Sequence, residues 1–254
     1  MKEVTRSTIK WIAMITMFID HLRWTVVLGS GTYMNVFRQV LFGIGRLAFP
    51  LFGFLLVDGF YRTRSREKFF IRLFIMACLS EVPYDMMRFH HMLTFEKQNV
   101  MWTLLFAFGA MWLIEGIRDK FKEKKRFCYL LQALVSVTAL AFGYLAHTDY
   151  GYIGVATVLM IYFCKKAEPM FPVGFPIRAD MMGYIAAVML LLASNEWEIT
   201  ALPGIFLIWN YHGKPGIKIP KVVGYGFYPV HMLLLLTIGG LIYPKLNIIS
   251  MFRL

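Results

Sequence analysis

The sequence predicts an all-α fold: a polytopic transmembrane helical bundle of about nine spans, with eight to ten permitted. Three observations predict it. Of the 254 residues, 58% are hydrophobic and mean hydropathy is +0.58, whereas soluble globular chains sit near ~45–50% apolar. The excess is gathered into runs of about 16–22 apolar residues, long enough to cross a hydrocarbon core of roughly 30 Å. Lys and Arg also concentrate in alternate loops, the pattern that orients a helical membrane protein. No long polar linker, low-complexity tract or clear internal repeat interrupts the chain, so residues 1–254 read as a single integral-membrane domain.

The spans fall near residues 9–27, 40–61, 69–87, 100–117, 127–146, 150–164, 181–194, 199–211 and 225–243. The first is broken by Asp20 and His21 and lacks a following small-x-small cleavage site, so it reads as a retained helix rather than a signal peptide. Pro50 and Pro83 are expected to kink the second and third. The sixth, seventh and eighth are short or interrupted, and the uncertainty in span number lies there. With the N-terminus in the cytoplasm, nineteen of the 27 Lys and Arg fall on inner segments and six on outer ones, while Arg46 and Arg72 lie within spans. That asymmetry favours an odd number of spans and an outer C-terminus.

The same distribution accounts for the net charge of +12 without nucleic acid, because inner-loop cations anchor against anionic lipid heads. The run Arg118–Arg126 reads as such a loop. Cys78, Cys128 and Cys164 offer neither a pairing framework nor zinc-site spacing, and read as buried thiols.

The polar groups inside the spans need a reason. Asp20, His21 and Arg23 place three ionisable side chains within four residues of span one, where an Asp or Arg at the helix centre costs roughly 2.5–3.5 kcal/mol. Arg46 sits on the outer part of span two, Glu81 and Asp85 toward the outer end of span three, Gln98 and Asn99 before span four, and His147 and Asp149 in the turn after span five. Convergence of opposite charges is the cheapest way to bury either sign. Asp20 and His21 point about 100° apart on a helix, so they cannot pair with each other. Asp20 can instead reach Arg23 at i+3. A carboxylate orienting His21 must come from another helix, with Asp149, Glu81 and Asp85 as candidates. An inner set comprises Asp58, Arg72, the Gly213-Lys214-Pro215-Gly216 turn and His231, the last one or two turns inside the membrane. Lys214 in that turn suits phosphate capture, and equally a short loop.

The chain resembles the TraX family, membrane proteins associated with N-terminal acetylation of conjugative pilin. The resemblance runs over roughly residues 8–235. It rests on six ordered blocks: Met17–His21; Gly45–Phe52; Arg72-Leu73 with Ser80–Asp85; Gln98–Val100 with Thr103-Leu104; Asp149–Val155; and Phe227–His231. The segment Asn210–Gly216 departs from the Tyr-Asn-Gly expected there. Through that family the chain is similar to membrane acyltransferases that draw on cytoplasmic acetyl-CoA. The resemblance implies His21 as the catalytic histidine and Arg46 as a site arginine.

Acyl transfer from a thioester needs a base and a group that stabilises the developing oxyanion. His21 suits the first, and Arg46 or a helix N-terminus the second. Asp20, Asp149 and Glu81 complete the candidate catalytic set. Arg72 and Lys214, with Tyr228 and His231, are the candidates for holding the donor, and no metal is required. The expected protein is therefore an acetyl-CoA-dependent O- or N-acyltransferase of the bacterial inner membrane. Its acceptor would be a pilin-like protein N-terminus or a surface glycan. A proton-coupled transporter and a membrane scaffold with structural ion pairs are the alternatives; the absence of an inverted repeat counts against the former.

Overall fold

The computed structural model describes residues 3–27, 32–170 and 177–243; Lys2, Lys245 and Arg253 of the charge count lie outside them. Ten α-helices follow in order: α1 Arg6–Thr25, α2 Thr32–Arg46, α3 Ala48–Arg62, α4 Arg66–Phe89, α5 Val100–Lys120, α6 Lys125–Leu145, α7 Gly151–Ala167, α8 Ala179–Leu192, α9 Gly204–Trp209 and α10 Lys221–Ile242. Short 3-10 helices follow α7 and precede α9. The described residues contain no strand, only the isolated bridges Val4–Tyr211 and Gln98–Thr148. Side-chain oxygens fix several helix starts, where unpaired N–H groups need acceptors. Thr5 accepts from Thr8, Ser65 from Lys68 and Asn99 from Met101.

The expected second span is two helices. Continuous helix across it would need an N–H at position 50 to meet the Arg46 carbonyl. Pro50 has none, and its ring clashes with that carbonyl. Accordingly α2 ends at Arg46, Leu47 forms the break, and Pro50 sits in the first turn of α3. The disturbance expected at Pro50 is a one-residue interruption, with Leu47 itself in helical conformation, inside the helical stretch Thr32–Arg62, and Pro83 lies within α4 without interrupting it. The expected eighth span is the 3-10 helix Glu196–Ala201 followed by the six-residue α9. At ~2.0 and ~1.5 Å per residue these advance about 21 Å together, less than a bilayer core.

Among the described residues, four helical stretches are long and apolar enough to cross a membrane: Thr32–Arg62, Val100–Lys120, Lys125–Leu145 and Val222–Ile242. The chain is a helical membrane protein with α3 at its centre, where twelve of fifteen residues are buried. The packing is that of a membrane bundle. On α6 only Cys128, Gln132, Ala139 and Gly143 are buried, a narrow seam of small and polar residues, while Leu130, Leu134, Val137, Phe142 and Leu145 face outward. All three cysteines are free thiols, and Cys78 is exposed rather than buried.

Helices α1 and α10 lie side by side and parallel. Lys10 Nζ sits 5.9 Å from the Tyr225 ring, His21 meets His231, and Tyr243 Oη donates to the Val26 carbonyl at 3.2 Å. This pairing forms one wall of the cavity described next.

Candidate active site

A cavity of about 620 Å³ runs between α1, α3 and α10, closed by α2, α4, α5 and the loop before α10. Arg6, Lys10 and Lys218 line one end; His21, Arg46 and Asp149 line the other. Lys10 and His21 are eleven residues apart on α1. That is three turns, so both face the cavity, separated by about 16 Å along the axis.

The centre of the histidine end is a pair of imidazoles. His21 Nδ1 and His231 Nε2 are 2.7 Å apart, and His231 Nδ1 is 2.7 Å from the Phe227 carbonyl. The two rings are nearly parallel, at 6°. Their contact is shorter than the ~3.5 Å at which carbon faces touch, so the rings meet edge to edge. His231 is 2% exposed and stacked on Phe227, with ring centroids 4.7 Å apart. Tyr228 is buried one turn earlier, its ring 6.4 Å from His21. His231 and Tyr228 thus lie beside His21, away from Lys10 and Lys218. The reason is helix register. The hydrophobic run begins near residue 225, but α10 starts at Lys221, which sets His231 about 15 Å into the helix.

Beside the imidazoles lies a charged frame. Asp20 accepts from Arg23 Nε at 2.9 Å and from Arg46 Nη2 at 3.1 Å. Arg46 Nη1 donates to Tyr150 Oη at 3.0 Å and Glu198 Oε1 at 3.2 Å, and its Nε to the Phe42 carbonyl at 3.4 Å. Arg23 also lies over the Trp24 and Phe42 rings, at 4.1 and 4.5 Å. The expected Asp20–Arg23 pair is present, joined to two helices more. Gly45 makes the junction possible. A Cβ there would fall 2.3 Å from Asp20 Cβ, so only glycine lets α2 approach α1 this closely.

The three acids expected to orient His21 are engaged elsewhere. Asp149 accepts from Tyr84 Oη at 3.2 Å and pairs with Lys97 at 3.1 Å. Glu81 accepts from Asn99 N at 3.2 Å, Asn99 Nδ2 at 2.6 Å and Trp102 Nε1 at 2.7 Å, and lies outside the cavity lining. Asp85 accepts from Thr94 N at 2.8 Å.

At the basic end, Arg72 Nε donates to Tyr225 Oη at 3.3 Å, and Lys214 is paired with Glu3. Neither lines the cavity. The cations that do are Arg6, paired with Asp58 at 3.2 Å, and Lys10 and Lys218, for which the described residues show no ion pair. Lys10 was legible through its three-turn offset from His21. Glu198 was legible through charge balance, since Asp20 alone cannot neutralise both Arg23 and Arg46.

Chemically, the arrangement offers an anion-attracting mouth, an apolar passage walled by Phe49, Phe52 and Leu55, and a base at its far end. The TraX protein family model matches residues 5–239. A probable fimbrial assembly protein, FimC of serogroup H1, from Dichelobacter nodosus is 28% identical over 250 residues, covering 89% of this chain and 92% of that protein. No solved structure matches. A helical membrane architecture with a cavity between its helices accompanies a family match over nearly the whole length, and the chain belongs to the TraX family.

Proposed function

We propose that the protein is a membrane-embedded acyltransferase that moves an acetyl group from cytoplasmic acetyl-CoA to an amine or hydroxyl at or across the membrane. The carrying observation is the cavity that joins Lys10 and Lys218 at one end to His21 at the other. Its length supports this donor. The pantetheine arm has about a dozen bonds between diphosphate and sulfur and, extended, reaches about 14 Å, close to the Lys10–His21 separation. The diphosphate would rest against Arg6, Lys10 and Lys218 at the mouth, which faces the cytoplasm when the N-terminus does, as the Lys and Arg asymmetry favours.

Transfer then proceeds at the histidine end. His21 takes a proton from the acceptor as its nitrogen or oxygen attacks the thioester carbonyl. The C–S bond breaks, and the same proton leaves on the CoA sulfur. Of the five N–H groups of Arg46, four are committed to Phe42, Tyr150, Glu198 and Asp20, leaving one Nη2 hydrogen for the developing oxyanion. Kinship with a probable fimbrial assembly protein favours a pilin-like N-terminal amine as acceptor over a surface glycan.

Calorimetry of acetyl-CoA with the purified protein and with His21→Ala tests this reading. Micromolar binding to both, with transfer lost in the variant, is the expected result. Absence of binding to well-folded protein of either form overturns it and favours a transporter or scaffold.

A further inference from the structure

We propose that His231 is the positioning residue for His21, setting its tautomer through a neutral imidazole–imidazole hydrogen bond in place of the carboxylate a catalytic histidine commonly uses. The assignment follows from hydrogen-bond direction. The Phe227 carbonyl can only accept, so the His231 Nδ1 beside it carries a hydrogen. In a neutral ring His231 Nε2 then holds a lone pair. The His21 Nδ1 facing it must donate, which leaves His21 Nε2 bare as the base. The chain of donors therefore runs from His21 through His231 to the α10 backbone.

Among the described residues no other side chain hydrogen-bonds the His21 ring. Asp149, Glu81 and Asp85 hold other partners, and Asp20 is committed to Arg23 and Arg46. A neutral partner also suits the location, because the resting pair buries no charge in a low-dielectric setting. When His21 Nε2 takes the acceptor's proton, the resulting cation points its Nδ1–H at the His231 lone pair, which shares the charge. That proton returns through His21 Nε2 to the departing CoA thiolate. This chemical consequence rests on the proposed function; the tautomer assignment does not.

The test uses ¹⁵N-histidine-labelled full-length protein in lipid nanodiscs. Ring-nitrogen NMR is expected to show His21 protonated at Nδ1 and bare at Nε2. In His231→Ala that preference should be lost, with kcat reduced at least tenfold and KM for acetyl-CoA unchanged. His231→Gln, which keeps an acceptor oxygen, should recover part of both and guards against a folding defect in the alanine variant. An unchanged His21 tautomer in folded His231→Ala overturns the proposal, as does equal loss of kcat in the two variants. A His231-dependent tautomer in a protein without acetyl transfer upholds the pair and overturns the acyltransferase reading instead.

Discussion

Asp20 and His21 are neighbours on one helix, yet they belong to two different kinds of site. Asp20 is locked between Arg23 and Arg46, and the other donors of Arg46 reach Glu198, Tyr150 and backbone, so both Asp20 oxygens and four of the five Arg46 N–H groups are used. His21 makes one hydrogen bond, to another neutral ring, and keeps a nitrogen in reserve. Buried charges in a membrane are tolerated when saturated, and saturated groups are poor reagents. The frame holds four segments in register, and the group with an uncommitted lone pair is free to react.

Removing each neighbour in turn separates the two roles. Asp20→Ala leaves Arg23 and Arg46 facing each other without their shared carboxylate, and breaking a buried pair costs about 3–5 kcal/mol. Expression and thermal stability in detergent should fall sharply. His21→Ala removes a base worth about 10²–10⁴-fold in rate. It should leave stability and acetyl-CoA binding near those of the unaltered protein while transfer disappears. Paired melting curves and transfer assays check both; the same phenotype in the two variants would erase the distinction.

Glu81→Gln addresses a second saturated carboxylate. Its carboxylate ties α4 to the start of α5 through three donors, and hydrogen bonds to a charged group contribute about 1.5–3 kcal/mol each. An amide presents an NH₂ where a donor now points, so a loss of about 2 kcal/mol in stability is expected. Because Glu81 stands away from the cavity, kcat measured below the melting transition should be unchanged. A tenfold loss of kcat in folded Glu81→Gln would return this acid to the catalytic set.

These contrasts mark what the sequence could and could not show. Apolar runs located the helices, because lipid demands them in continuous stretches. The Asp20–Arg23 pair was readable because it lies within one helical turn. The His21–His231 bond joins positions 210 residues apart, and no local period encodes a meeting between α1 and α10. A hydrophobic run marks where apolar residues start, while α10 begins at Lys221, one turn earlier, so His231 lies further along its helix than the run implies. Pro50 announced the disturbance between α2 and α3, but not what the freed end of α2 would meet. Here Arg46, at the α2 terminus, turns into a ready-made cluster of acceptors.

The smallest effect belongs to the basic mouth. Lys10 and Lys218 form no ion pair among the described residues, in contrast to Arg6 and Lys214, which are held by Asp58 and Glu3. Lys218 is exposed and Lys10 half-buried, so each contributes only on the order of 1 kcal/mol to an anion there, and salt screens it. Lys10→Ala should raise KM for acetyl-CoA about fivefold and leave kcat within a factor of two. The double variant with Lys218→Ala should raise KM further, and both effects should shrink in 0.5 M salt. Acetyl-pantetheine, which lacks the nucleotide and its diphosphate, provides the control: its KM should be indifferent to both lysines. Equal loss for the two donors would mean that Lys10 shapes the passage rather than attracting phosphate. The cavity would then have one functional end, at the imidazoles, instead of two.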